Sequence, residues 1–369
     1  MKLLHVITSL RTGGAEKLMV DLLPKLHGFG NDVELFLFDG VRTEFMEQLE
    51  DYGIKIHIAR VKGSVYDPRI VLRLRHFLNN YDVVHTHNTA PQFFAVVAKI
   101  LTFRSKVKLV TTEHNTTNRR RDKRFFVILD RWMYSKYSKV ICISNQAETN
   151  LRQYLDDHSS KIITIFNGID FSKFSNNNNV NDSKQGNEKS FVVTMVAAFR
   201  EQKDQQTLIK AFSLLPANFK LQLVGNGDTE LIEMCKDLVK QHELTNRVDF
   251  MGMRTDIPAI LHASDVIVLS SHYEGLSLSS LEGMASGRPF IASDVEGLHE
   301  IVNGYGLLFP HEDAHDLAAK IIELSRDRAY AEQIAVKCQE RAKQFDIGIM
   351  AENYNNIYKE LYESRTLKF

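Results

Sequence analysis

Cysteine, proline and tryptophan are all scarce in this chain, and no apolar run in it is long. Cys142, Cys235 and Cys338 are far apart and odd in number, which excludes a disulfide scaffold or a Cys-x-x-Cys pair and fits a reducing, cytoplasmic setting. With 7 prolines and 19 glycines, the chain is neither collagen-like nor of low complexity, and long regular elements are expected. The longest largely apolar stretch, Gln92 to Phe103, contains Lys99 and is about half the roughly 20 residues that a spanning helix needs. No membrane-crossing segment is expected. Residues 1–11 hold a short apolar run interrupted by His5 and no small-residue cleavage pattern, so they read as a first strand rather than a secretory leader.

What is present is a balanced globular composition: 44% hydrophobic and 25% charged residues, with 46 basic against 46 acidic side chains. The balance is uneven along the chain. Residues 1–170 carry 25 Lys and Arg against 18 Asp and Glu, and residues 171–369 carry 21 against 28, so the first half is suited to attracting something anionic. A length of 369 residues at about 150 per domain predicts two domains.

Short apolar runs alternate with amphipathic stretches in two series. The first comprises Leu3–Ile7, Val33–Phe38, Ile54–Ile58, Val83–Val84, Val107–Val110, Val140–Ile143 and Ile162–Ile165. The second comprises Phe191–Val196, Leu221–Val224, Val248–Phe250, Val266–Leu269 and Phe290–Ala292. Between runs, sets such as Ala15, Leu18, Met19, Leu22, Leu23 and Leu26 keep helical spacing, with a kink expected at Pro24. Regular alternation of strand and helix predicts parallel sheets covered on both faces, here twice: an α/β chain of two doubly wound domains. The polar segment 175–189 follows the turn Asn167-Gly168-Ile169-Asp170 and reads as a solvated loop. The domains are therefore placed at 1–168 and 169–349. Met350, Tyr354, Ile357, Tyr358 and Leu361 form a final stripe in residues 350–369 that needs a partner, and it is assigned to the first domain.

Ligands of open parallel sheets bind beyond the carboxyl ends of the strands. After Val266–Leu269 come Glu274-Gly275-Leu276-Ser277 and Glu282. The carboxylates are eight apart, and a helix start lies between them whose free N–H groups suit phosphate. Phosphate repels carboxylates, so these two suit hydroxyl groups; a nucleotide sugar carries hydroxyls on both sides of a diphosphate. Taken singly, Glu282 reads more readily as an exposed helix carboxylate and Glu274 as a helix-capping residue favoured by the dipole. Arg200 and Lys203, at a strand-to-helix turn, suit a diphosphate or are a solvated basic pair. Thr12-Gly13-Gly14-Ala15-Glu16 lets backbone approach a ligand closely or is simply a tight turn. His85, His87 and His114 lie at neighbouring strand ends. A zinc site there lacks accompanying carboxylates or cysteines, so no metal is expected. Gly225-Asn226-Gly227 lacks the third glycine of a dinucleotide fingerprint, and NAD is not expected. From Leu101 to Lys139 there are 11 basic against 3 acidic residues, centred on Arg119, Arg120, Arg121, Lys123 and Arg124. No nucleic-acid-binding module accompanies them, so an anionic acceptor or a peripheral contact with the cytoplasmic membrane face is the expectation, with a solvated loop as the plain alternative.

Together these segments resemble the GT-B glycosyltransferases of the large retaining family 4, over essentially the whole chain. The matching features are Gly13-Gly14-Ala15-Glu16, His85-Thr86-His87, Glu113-His114, Asn167-Gly168-Ile169-Asp170, Arg200 with Lys203, Glu274 to Glu282, Gly287-Arg288-Pro289 and Gly297 to Val302. The resemblance implies two Rossmann-like domains facing a cleft, with donor bound mainly by the second and acceptor by the first. It also implies a retaining, metal-independent transfer of sugar from a UDP- or GDP-sugar to a glycan or lipid-linked acceptor, as in bacterial surface polysaccharide biosynthesis. Glu274 would then bind the transferred sugar, Glu282 the ribose, Arg200 and Lys203 the diphosphate, the Gly275–Ser277 backbone sugar and phosphate, and His114 the donor sugar. Gly13 and Gly14 would line the substrate site. Glu296-Gly297 stands where many members have two glycines, a departure that bears on donor preference. The alternatives are a nucleotide-sugar 2-epimerase on the same scaffold and a non-catalytic nucleotide-sugar-binding subunit.

Overall fold

A computed structural model describes residues 1–11, 13–60, 64–103, 105–114, 124–175 and 190–366. The chain divides into two compact units, Met1–Gly168 with Ile347–Phe369, and Ile169–Asp346. The second unit thus ends three residues before the expected boundary.

The first unit is built on strands β1 (Lys2–Ile7), β2 (Asp32–Asp39), β3 (Lys55–Arg60), β4 (Val83–His87), β5 (Lys108–Glu113), β6 (Lys139–Cys142) and β7 (Ile162–Thr164). They form a parallel sheet in the order β3-β2-β1-β4-β5-β6-β7. The second unit carries β8 (Phe191–Val196), β9 (Phe219–Val224), β10 (Val248–Gly252), β11 (Val266–Leu269), β12 (Phe290–Ser293) and β13 (Leu307–Phe309). Their order is β10-β9-β8-β11-β12-β13, again parallel. In both sheets the winding reverses once, between β1 and β4 and between β8 and β11. Such a reversal sends successive crossovers to opposite faces and opens a crevice at the carboxyl ends of the two strands.

The helix Gly14–Gly28 contains Pro24. One expectation changes. β4 is not the dipeptide Val83–Val84 but continues through His85, Thr86 and His87, all buried. Polar residues continue a strand here because the pairing with β1 and β5 binds its backbone, and their side chains find buried partners.

Those partners follow from the pleat. Leu3 and Ile7 of β1, Val83 of β4 and Val110 of β5 all join the core cluster that includes Met350, Tyr354, Tyr358 and Leu361 of the helix Ile347–Thr366. Side chains two apart share a face, so His5, His85, His87 and Thr112 point to that same side. The terminal stripe is therefore buried in the first unit, against a sheet face that is polar at its centre. The Tyr358 hydroxyl lies 2.5 Å from His85 Nδ1, and His85 Nε2 lies 2.8 Å from Thr112 Oγ1, which lies 2.9 Å from the Tyr354 hydroxyl. His5 Nδ1 is 3.0 Å from His87 Nε2, and His87 Nδ1 is 3.0 Å from His114 Nε2. Tyr354, Tyr358, His5 and His87 have no exposed surface. A dry interior disfavours imidazolium. Burial pushes His5 down to about 3 and His114 down to about 4. His85 and His87 are held well below the ordinary value, by burial first and then by neighbouring imidazoles.

All four rings are neutral in the folded chain, whereas in the unfolded chain each takes a proton below about pH 6.5. The unfolded state then binds more protons, so stability is intact above that pH and falls as pH drops from about 6.5 toward the folded values. Stability from urea unfolding between pH 7.5 and 5 is expected to be flat above about pH 6.5 and below it to fall by about 1.4 kcal/mol per pH unit for each of these protons, and His5→Gln to flatten the slope. A stability independent of pH over this range would contradict a neutral buried histidine layer.

Candidate active site

In the second unit the residues beyond β8 and β11 meet at the switch point. Beyond β8, Arg200 is exposed and precedes a single 3-10 turn, Glu201–Lys203. Beyond β11 the loop leads into the helix Leu278–Ala285, whose N-cap Ser277 has extended backbone and gives no side-chain cap. The first amide groups of that helix therefore keep their capacity to donate to an anion.

Glu274 lies between these features, 5% exposed. Its Oε1 is 2.5 Å from Lys203 Nζ and accepts from Ser271 Oγ at 2.6 Å, and its Oε2 accepts from Gln202 Nε2 at 3.4 Å. Gln202 also donates to the Tyr273 carbonyl at 2.8 Å. A buried carboxylate needs such partners, since an unpaired charge in a dry site costs several kcal/mol. Lys203 is therefore not a free cation beside Arg200, as its spacing suggests, but the counter-ion of Glu274. Its remaining N–H groups are still donors. Arg200 forms no ion pair among the described residues and is the uncommitted cation of the turn.

Glu282 sits in the first turns of the helix Leu278–Ala285 and is 5% exposed. The reading of it as an exposed helix carboxylate is thereby excluded. The loop carrying Glu274, Gly275, Leu276 and Ser277 is braced from behind. Glu274 N donates to the Glu296 carbonyl at 3.1 Å. Gly297 has φ +84°, and a side-chain carbon there would stand 2.2 Å from the Glu274 carbonyl oxygen, so only glycine fits. The Glu296 side chain is exposed. Gly225 similarly has φ +148°, and a side-chain carbon would stand 2.0 Å from the Ala197 carbonyl oxygen. The Gly225-Asn226-Gly227 loop thus lies backbone to backbone on the segment that presents Arg200.

In the first unit, Gly13 and Gly14 follow β1 at its switch point, Gly13 as N-cap of the helix Gly14–Gly28 with extended backbone. His114 follows β5 and ends the imidazole chain from His5 through His87. His5 is part of this group because β1 pairs with β4 in the register His5↔His85. Only strand order reveals that neighbour; in the sequence His5 is merely a polar break in an apolar run. The ring nitrogens of His5, His85 and His87 lie within 4.8 Å of one another and are engaged with each other and with Tyr358, Thr112 and His114. Thr12, Arg119, Arg120, Arg121 and Lys123, and the side chain of Arg124, lie outside the described residues. No described helix is long and apolar enough to cross a membrane.

Two family models match the chain. Glycosyltransferase Family 4 matches residues 12–173 and Glycosyl transferases group 1 matches residues 177–345. Among curated proteins the chain is 28% identical over 314 residues to the UDP-Gal:alpha-D-GlcNAc-diphosphoundecaprenol alpha-1,3-galactosyltransferase of Escherichia coli, covering 79% of this chain and 77% of that protein. It is 26% identical over 343 residues to the N,N'-diacetylbacillosaminyl-diphospho-undecaprenol alpha-1,3-N-acetylgalactosaminyltransferase of Campylobacter jejuni, covering 88% and 90%. Among solved structures, HepE of Anabaena in complex with UDP-glucose superposes with a TM-score of 0.82 at 24% identity, over 99% of this chain and 100% of that one. That likeness shows the fold, and the sequence matches carry the family. The chain is a glycosyltransferase, and it belongs to family 4 of the GT-B fold, the glycosyl transferases group 1.

Proposed function

We propose that this enzyme transfers a sugar from a nucleoside diphosphate sugar to a glycan or lipid-linked acceptor, with retention of anomeric configuration and without a metal. The observation that carries the reading is the second-unit group of Glu274, held by Lys203, Ser271 and Gln202, beside an uncapped helix start and the uncommitted Arg200. The polyprenyl-diphosphate substrates in the names of the Escherichia coli and Campylobacter jejuni relatives support a lipid-linked acceptor. The UDP-glucose complex of HepE supports a UDP-sugar donor.

The donor is assigned to the second unit. Helix amides beyond Ser277 and the Arg200 guanidinium receive the diphosphate, and Lys203 donates a further hydrogen bond while staying paired with Glu274. Glu274 accepts from sugar hydroxyls, a role suited to a carboxylate whose charge is already balanced. Glu282 accepts from the ribose. In the transfer the bond from the anomeric carbon to the diphosphate oxygen breaks, and the acceptor oxygen bonds to the same face. The acceptor's proton passes to the departing phosphate oxygen, whose negative charge Arg200 and the helix amides stabilise. His114, a neutral imidazole, offers a hydrogen bond to a sugar hydroxyl. The first unit is assigned the acceptor.

Two outcomes test the assignment. Glu282→Gln is expected to weaken binding of free UDP by about tenfold, the scale of one charge-assisted hydrogen bond, and Glu274→Gln to spare UDP but weaken the full UDP-sugar. Calorimetry on both variants checks this, and equal loss of UDP affinity in the two would end the division of roles. Transfer, measured by mass spectrometry of the glycosylated acceptor well below the melting temperature, is expected to persist in excess EDTA. Loss in EDTA with recovery on adding Mn2+ would reverse the metal-independent reading, and isomerised donor without transfer would favour an epimerase.

A further inference from the structure

We propose that His272, His311 and Glu312, with Asp204 as fourth ligand, form a binding site for a divalent transition ion of the zinc type. The four residues come from three strand ends of the second unit. Asp204 caps the helix Gln205–Ser213 beyond β8, His272 lies in the loop beyond β11, and His311 and Glu312 lie just beyond β13. Residues that far apart in sequence meet only because the sheet collects these ends at one edge.

The distances suit one small ion. His272 Nδ1 is 2.7 Å from His311 Nε2 and 3.5 Å from Glu312 Oε1, and His311 Nε2 is 3.9 Å from Glu312 Oε1. Ligand atoms of a tetrahedral zinc centre stand about 3.3 Å apart for bonds of about 2.0–2.1 Å. These three separations straddle that figure, so small movements of partly exposed side chains would close the trio, and the fourth ligand must come in from its place 3.9 Å from His272 Nδ1. The 2.7 Å contact is a hydrogen bond in which one imidazole nitrogen donates to the other; the ion would take that proton's place between them.

Asp204 supplies an independent observation. It is 9% exposed, and its Oδ1 accepts from Thr207 N at 3.1 Å to cap the helix. Its Oδ2 is buried, has no hydrogen-bond partner among the described residues, and lies 3.9 Å from the same His272 Nδ1. A buried carboxylate oxygen without a partner is costly, and a cation on the imidazole nitrogens would relieve it. Two imidazoles and two carboxylates select zinc or a neighbouring transition ion over magnesium or calcium, which prefer oxygen alone. Their two negative charges balance a divalent ion. The His5, His85 and His87 cluster has no such vacancy, because its ring nitrogens are hydrogen-bonded to neighbours and, among the described residues, no carboxylate joins the group. The ion would tie the loop bearing Glu274 to the ends of β8 and β13 while taking no part in the transfer itself.

The test uses the full chain stripped with chelator and then dialysed. Zinc chloride is titrated in competition with a chromophoric chelator, and cobalt chloride is used as a spectroscopic probe. One equivalent of zinc is expected to bind and to raise the melting temperature, cobalt to give the visible bands of a tetrahedral centre, and magnesium to do neither. His311→Ala and Glu312→Gln, both at exposed positions, are each expected to lower zinc affinity by about tenfold or more, and Asp204→Asn, which keeps the helix cap, by about 10–100-fold. The proposal is overturned if the wild-type chain binds no stoichiometric zinc, or if zinc binds equally well to all three variants.

Discussion

Parallel strands cannot be joined by tight hairpins. Each must be followed by a crossover that returns the chain to the same starting edge, so every carboxyl end in a sheet gathers at one side. Here that constraint acts twice. At the reversals between β1 and β4 and between β8 and β11, the loops diverge to opposite faces and leave their polar residues facing a crevice. Glu274, Lys203, Arg200 and the start of the helix Leu278–Ala285 share a neighbourhood for this reason, as do Gly13 and the histidines of β4 within the other unit. The same gathering brings Asp204, His272, His311 and Glu312 together.

The two units hold buried polar groups in different ways. In the second, a carboxylate is balanced by an ammonium: Glu274 pairs with Lys203 and receives further hydrogen bonds from Ser271 and Gln202. Removing one member of such a pair leaves the other charge buried, which commonly costs about 3–5 kcal/mol. Truncation at Glu274 therefore mixes folding with binding, and an isosteric amide keeps the shape of the side chain but still leaves Lys203 without its counter-charge. In the first unit, charge is given up. His5, His85, His87 and His114 become neutral and satisfy one another through ring nitrogens, with Tyr354 and Tyr358 closing the group from the terminal helix. Neutral imidazoles are both donors and acceptors, so a row of them can line a dry sheet face without counter-ions.

Much of this was legible in the chain itself. Alternating apolar runs and helical stripes identify two doubly wound domains because each strand buried on both faces must be apolar on both. The Asn167-Gly168 turn marks a division, and the carboxyl-end rule singles out Arg200, Glu274 and Glu282. Local chemistry also determines the glycines: Gly297 and Gly225 adopt backbone conformations that side chains resist. What the one-dimensional pattern could not decide was partnership. Whether Lys203 is a free cation or a counter-ion depends on a contact across 71 positions. His5 joins His85 only through the register of β1 on β4. Asp204 looks like an ordinary helix cap until the chain beyond β11 brings His272 beside its second oxygen. Periodicity and residue chemistry are local and survive in the sequence, whereas pairing of charges and of ring nitrogens is set by strand order, which is a property of the folded chain alone.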